Sequence, residues 1–104
     1  MCLILFSYDN HPRYRLVLIA NRDEFYDRPT AAANFWEDDN GILAGIDLKE
    51  GGTWLGLTRW GRFAAITNYR DPSTRKEQAI SRGLLVSEYL RTDVEAEIYI
   101  EKIK

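Results

Sequence analysis

The first two-thirds of the chain is cut into short apolar runs by Asn, Asp, Gly and Pro. That punctuation leaves room for strands and hairpins but not for long helices. Residues 3–8 (LILFSY) read as a strand buried on both faces or nearly so. Asp9-Asn10-His11-Pro12 follows as a turn cluster, because Asn and Asp tolerate left-handed backbone and Pro fixes its own φ. His11 is expected to be exposed and inert there. Residues 14–20 (YRLVLIA) are a second β-rich run, so the two runs should pair as a hairpin. The polar stretch 21–30, with Arg28-Pro29 near its end, is expected as loop. A short strand is expected at 42–46, between Asn40-Gly41 and Gly51-Gly52. Residues 53–58 (TWLGLT) and 63–69 (FAAITNY) flank Arg59-Trp60-Gly61-Arg62, where Gly61 suits the positive φ of a tight hairpin turn.

Helical periodicity begins only at Ser81. Leu84, Leu85, Val86, Tyr89 and Leu90 form a broad apolar stripe, and Ser81 stands where it can cap the helix. Thr92-Asp93-Val94-Glu95 fits a capping box, with Val94, Ile98 and Ile103 lining one face of a second helix. Strands first and helices afterwards give the α+β class, antiparallel sheets with helices. The second helix reaches Lys104 with no glycine, proline or polar tail. Residues 1–104 are therefore expected to be the N-terminal part of one longer domain.

Composition excludes several functions. Of 104 residues, 45% are hydrophobic and 29% charged, the balance of a globular chain rather than a disordered one. A net charge of −2 offers no basic footprint for nucleic acid. No apolar run approaches the roughly 20 residues that cross a bilayer, so no integral membrane segment is expected. The start lacks the basic flank and cleavage site of a secretory signal, and the single cysteine cannot close a disulfide. An intracellular, cytoplasmic location follows as the expectation. One cysteine and one histidine also argue against a protein-built metal site.

Three places can carry chemistry. Removal of Met1 would leave Cys2 with a thiol and a free α-amine whose ordinary pKa, near 8, suits it as a local base for the thiol. The competing reading is a small apolar residue in a strand. The Asn21-Arg22-Asp23-Glu24 tetrad follows the second strand, and a 3–8/14–20 hairpin would bring it beside Cys2. Arg22 could lower the thiol pKa by its charge, and Asp23 could orient an α-ammonium. A solvated loop whose charges pair among themselves, or with Arg28, is the reading that composition alone favours. Asn68, at the end of the 63–69 run, could donate to a developing oxyanion, with Tyr69 lining a pocket. Asn68-Tyr69-Arg70-Asp71-Pro72 is also good turn chemistry. Gly51-Gly52-Thr53-Trp54 is no phosphate loop, since the Lys-Ser/Thr ending and the following helix are missing. Trp36, Trp54 and Trp60 are expected in the core or at its rim, or lining an apolar ligand cleft.

Met1-Cys2, Ala20-Asn21-Arg22-Asp23-Glu24-Phe25 with Arg28-Pro29, Gly51-Gly52-Thr53-Trp54-Leu55-Gly56, Thr67-Asn68-Tyr69 and Ser81-Arg82-Gly83 occur in an order that resembles the NRDE, or transport and Golgi organization protein 2, family. The resemblance implies a four-layer αββα N-terminal-nucleophile fold similar to that of the penicillin V acylases and bile salt hydrolases. It implies Cys2 as nucleophile, Asp23 and Arg22 as its support, Asn68 as oxyanion donor, and Asn21 and Tyr69 as substrate-binding residues. Arg22 stands next to Asp23, whereas in those amidases the arginine precedes the aspartate by several residues. The expected substrate is a small molecule with a linear amide C–N bond, and no cofactor is required. The alternative that the resemblance implies is a non-enzymatic carrier of haem or of a lipid or acyl-CoA ligand, with mitochondrial or Golgi association in a eukaryote; a further alternative is a fragment inactive when isolated. A homo-oligomer is compatible with either.

Overall fold

The computed structural model describes residues 2–67 and 81–104. Strands β1 (Leu3–Tyr8) and β2 (Leu16–Asn21) form an antiparallel ribbon. Strands β3 (Thr30–Phe35), β4 (Ile42–Asp47), β5 (Leu55–Thr58) and β6 (Phe63–Ala65) form a second, four-stranded antiparallel meander in chain order. Two helices follow, α1 (Arg82–Arg91) and α2 (Ala96–Ile103). The α+β class with antiparallel sheets and helices is what the sequence pattern implies. Among the described residues, no helix is long and apolar enough to cross a membrane.

The turn chemistry acts as its residues dictate. Gly61 takes φ 93° between β5 and β6, and the Thr58 hydroxyl accepts from the Arg62 amide at 2.8 Å. At the ribbon's tip Asp9 sits at φ 57°, and the exposed His11 accepts the Arg13 and Tyr14 amides on its Nδ1 (3.1 and 3.3 Å).

The core lies between the meander and α1. Trp36, Ile42, Ala44, Val86 and Leu90 form it, with Ile42 and Leu90 fully buried. The Trp36 indole Nε1 donates to the Ala44 carbonyl at 3.2 Å, which gives its polar edge a partner inside the core. Trp60, by contrast, is exposed on the β5–β6 turn.

Three sequence expectations need correction. Residues 3–8 are not buried on both faces: Leu3, Leu5, Phe6 and Tyr8 are all exposed, because among the described residues no third strand joins the ribbon, and apolar composition cannot reveal what covers a strand. The loop expected over 21–30 ends one residue early: Thr30 opens a strand, 30–35, to which the sequence pattern assigned no element. Its alanines carry little β propensity, and a register shift between Ala31 and Asn34 interrupts the pairing with β4. The capping box at residues 92–95 does not form. Thr92 ends α1, its hydroxyl accepts from the Val94 amide at 3.1 Å, and α2 starts only after Glu95. Val94, Ile98 and Ile103 are consequently exposed, and α2 buries Tyr99 instead.

Tyr99 joins the two helices by donating its hydroxyl to the Leu85 carbonyl at 2.6 Å, with its ring 5.2 Å from that of Tyr89. Burial pushes the phenol pKa up, and the nearby Glu88 carboxylate pushes it the same way. A raised folded-state pKa contributes stability that is complete below the unfolded value, near 10, and is lost as pH rises through the folded one. Tyr99→Phe should cost about 1 kcal/mol at neutral pH, read from urea unfolding. The same variant should lose less stability than the wild type above about pH 10.

Candidate functional site

Pairing in the ribbon sets the site. Leu3 faces Asn21 and each following pair runs in step to Tyr8 opposite Leu16, without a bulge. Cys2 therefore falls level with the residues that follow β2. Its half-buried Sγ lies 3.9 Å from the Asp23 carbonyl oxygen, a weak S–H···O contact. The hairpin thus brings Cys2 and the tetrad together, through the Asp23 backbone.

Arg22 is directed elsewhere. Its Nη2 lies 3.4 Å from Glu24 Oε2, in a pair whose side chains are both mostly covered, and Glu24 Oε1 accepts the Phe25 amide at 3.0 Å. This is the internal charge pairing that the sequence left open as the second reading of the tetrad. Asn21 ends β2 beside Leu3. Asn68 and Tyr69 lie outside the described residues.

Sequence reasoning assigned no role to Asp47. Its Oδ2 accepts both Nε and Nη2 of Arg28, at 3.2 and 2.6 Å, and its Oδ1 accepts the Lys49 amide at 3.1 Å. The Arg28 hydrogen bonds hold the Asp47 carboxyl below its ordinary pKa against the opposing effect of burial, and the Lys49 and Glu50 amides add to the lowering. The available signal was Arg28 itself, a cation next to Pro29 at the start of a strand, which needs an acidic partner across the sheet.

A cavity of about 470 Å³ opens between the ribbon and the helices. Ile4 and Phe6 of β1 form one wall, and Ala64 and Ile66, Tyr89, and Tyr99 with Ile103 form the others. Its size suits a small apolar ligand. Among the described residues, its walls carry no histidine, cysteine or methionine. Among the described residues, no three His, Cys, Asp or Glu side chains cluster as metal ligands.

The family model described as Transport and Golgi organisation 2 matches residues 1–104. The chain is 49% identical over 110 residues to the human Transport and Golgi organization protein 2 homolog, an alignment covering 99% of this chain and 40% of the relative. The mouse homolog is 44% identical over 110 residues, with the same two coverages. Transport and Golgi organization protein 2 of Drosophila melanogaster is 38% identical over 109 residues, covering 94% of this chain and 38% of the relative. The chain thus spans about two-fifths of the length of these curated relatives. A full-length model match and this identity establish one conclusion: the chain belongs to the Transport and Golgi organisation 2 family.

Proposed function

We propose that this chain carries the nucleophile end of a cysteine N-terminal-nucleophile hydrolase-like domain of four-layer αββα type, acting on a linear amide C–N bond. The observation that carries the reading is the ribbon register, which sets the Cys2 thiol against the Asp23 carbonyl. With Met1 removed, the Cys2 α-amine is the local base that takes the thiol proton, and the Asp23 carbonyl oxygen, 3.9 Å from Sγ, orients the thiol before that transfer. Arg22, held by Glu24, stiffens the loop rather than charging the thiol, and Asn68 is the proposed oxyanion donor. The names of the human and fly relatives refer to transport and Golgi organisation, which accords with action inside the cell.

Intact-mass measurement of the full-length protein from its cell should show Met1 removed, and an amide-mimicking electrophile should label Cys2 in the wild type, with that adduct absent from Cys2→Ala. Quantitative retention of Met1 in active protein would refute the mechanism.

A second reading rests on the apolar cavity: binding and carriage of a small hydrophobic molecule, without chemistry. An acyl chain suits its apolar walls; among the described residues that line them, Tyr89 and Tyr99 are the side chains able to ligate haem iron, and the Tyr99 hydroxyl already donates to the Leu85 carbonyl. Cys2→Ala separates the two readings, since it should abolish covalent labelling and leave binding in the cavity intact.

A further inference from the structure

We propose that Arg28 and Asp47 form the joint that fixes the Cys2–tetrad ribbon to the four-stranded sheet, making both of them positioning residues for the Cys2 site. The geometric claim stands without catalysis, while its functional consequence rests on the reading of Cys2 given above.

Among the described residues the two sheets share no strand pairing, and β2 passes into β3 through residues 22–29. That connection turns tightly, with the Arg28 amide donating to the Phe25 carbonyl at 3.1 Å. It is then tied down on both sides of its exit. The Arg28 side chain grips Asp47 with two N–H groups on one oxygen, and the Leu48 amide donates to the Pro29 carbonyl at 3.0 Å. Thr30 pairs with Asp47 as the first rung of the β3–β4 ladder.

Asp47 is also anchored from the other direction. Its amide donates to the Gly52 carbonyl at 2.7 Å, and its carbonyl accepts the Gly51 amide at 2.7 Å. Thr53 next donates its amide to the Gly83 carbonyl at 3.2 Å, in the first turn of α1. One residue thus links the segment after the tetrad to the corner where Gly51-Gly52 meets Ser81-Arg82-Gly83. These motifs contain no obvious catalytic group, and the joint gives them a common purpose.

The charges continue the arrangement. Glu24 pairs with Arg22 and is also close enough to favour the Arg28 cation, so Arg22, Glu24, Arg28 and Asp47 alternate in sign. The Glu50 charge favours the Arg28 cation as well. An exposed pair of this kind would contribute almost nothing. This one is partly covered, is held by two donors and is flanked by backbone bonds. Because Ile4 and Phe6 form one wall of the cavity, the same joint sets the width of its mouth.

The test uses full-length protein carrying Arg28→Lys or Asp47→Asn. Amide hydrogen exchange and the pH profile of Cys2 alkylation by iodoacetamide are the readouts. Asp47→Asn should raise exchange at the Arg28 and Leu48 amides by about tenfold, leave core amides such as Trp36 protected, and speed Cys2 alkylation several-fold. Arg28→Lys keeps the charge but not the two-donor grip, so it should produce smaller changes in the same sense. Unchanged alkylation and loop exchange in both variants would overturn the joint. So would Arg28→Lys losing protection evenly across the core, since that describes global stability rather than local positioning. Alkylation needs only a thiol, so the experiment still reads the joint if the wild type proves to have no hydrolase activity.

Discussion

Replacing Gly52 with alanine should lower the stability of this domain by about 3 kcal/mol, the upper end of ordinary overpacking costs. A Cβ built there would stand 2.4 Å from the Gly83 carbonyl carbon, 2.6 Å from its oxygen and 2.7 Å from the Leu84 nitrogen. These are main-chain atoms of the first turn of α1, and no rotamer change can move them. Relief requires α1 to back away from the sheet, which also stretches the Thr53–Gly83 hydrogen bond. A domain approaching the length of the curated relatives loses about 2–4 °C of melting temperature per kcal/mol, so a drop of about 6–12 °C is expected by thermal circular dichroism of the full-length protein.

Two neighbouring glycines serve as controls. Gly51, at φ 84°, has nothing within 4 Å of a built Cβ, so its restriction is conformational and Gly51→Asn should be tolerated better than Gly51→Ala. The three atoms nearest a Cβ on Gly41 all belong to the ring of the exposed Trp60, which can swing aside, so Gly41→Ala should cost much less than Gly52→Ala. Equal losses at Gly41 and Gly52 would contradict this account.

Leu90→Ala is expected to have the other large effect, about 2–5 kcal/mol. Leu90 is fully buried and reaches from α1 into the space above Gly56, where a built Cβ would lie 2.6 Å from its Cδ1. The glycine leaves a socket in β5 and the leucine fills it. Truncation would empty that socket, and the meander and α1 cannot close it without losing contacts at Ile42 and Val86. Against a total stability of about 5–15 kcal/mol for a domain of ordinary size, the loss is large. Ile98, equally apolar but exposed on α2, should tolerate alanine within about 0.5 kcal/mol in this chain. Denaturant midpoints at constant m-value decide the comparison.

The hairpins were legible because their signals are local. Gly61 announces a turn, and the turn at Asp9 places 3–8 against 16–21. From that pairing the nearness of Cys2 to the tetrad follows by counting residues. What escaped depends on contacts distant in sequence. Strand β3 is held by Trp36 reaching Ala44 and by β4 alongside it, neither of which an alanine-rich segment declares. The choice of Glu24 over Cys2 as partner of Arg22 turns on side-chain direction, which residue order leaves open. Tyr99 rather than Ile98 faces inward because α2 begins after Glu95 instead of Thr92, and a later start rotates every side chain about the helix axis. Asp47 gathers its partners from Arg28, Lys49 and the glycine pair, a convergence that only folding creates.

The unbroken rungs of the ribbon also decide where this protein will accept insertions. Cys2 and the tetrad sit at one end of six paired residues per strand, and the tip at Asn10–Arg13 sits at the other, about 20 Å away at the usual rise of a strand. Extra residues at the tip leave every rung in place, so a peptide tag or fluorophore site can be built there without disturbing the thiol. Deleting a single residue within β2 would turn its side chains to the opposite face and carry the Asp23 carbonyl away from Cys2.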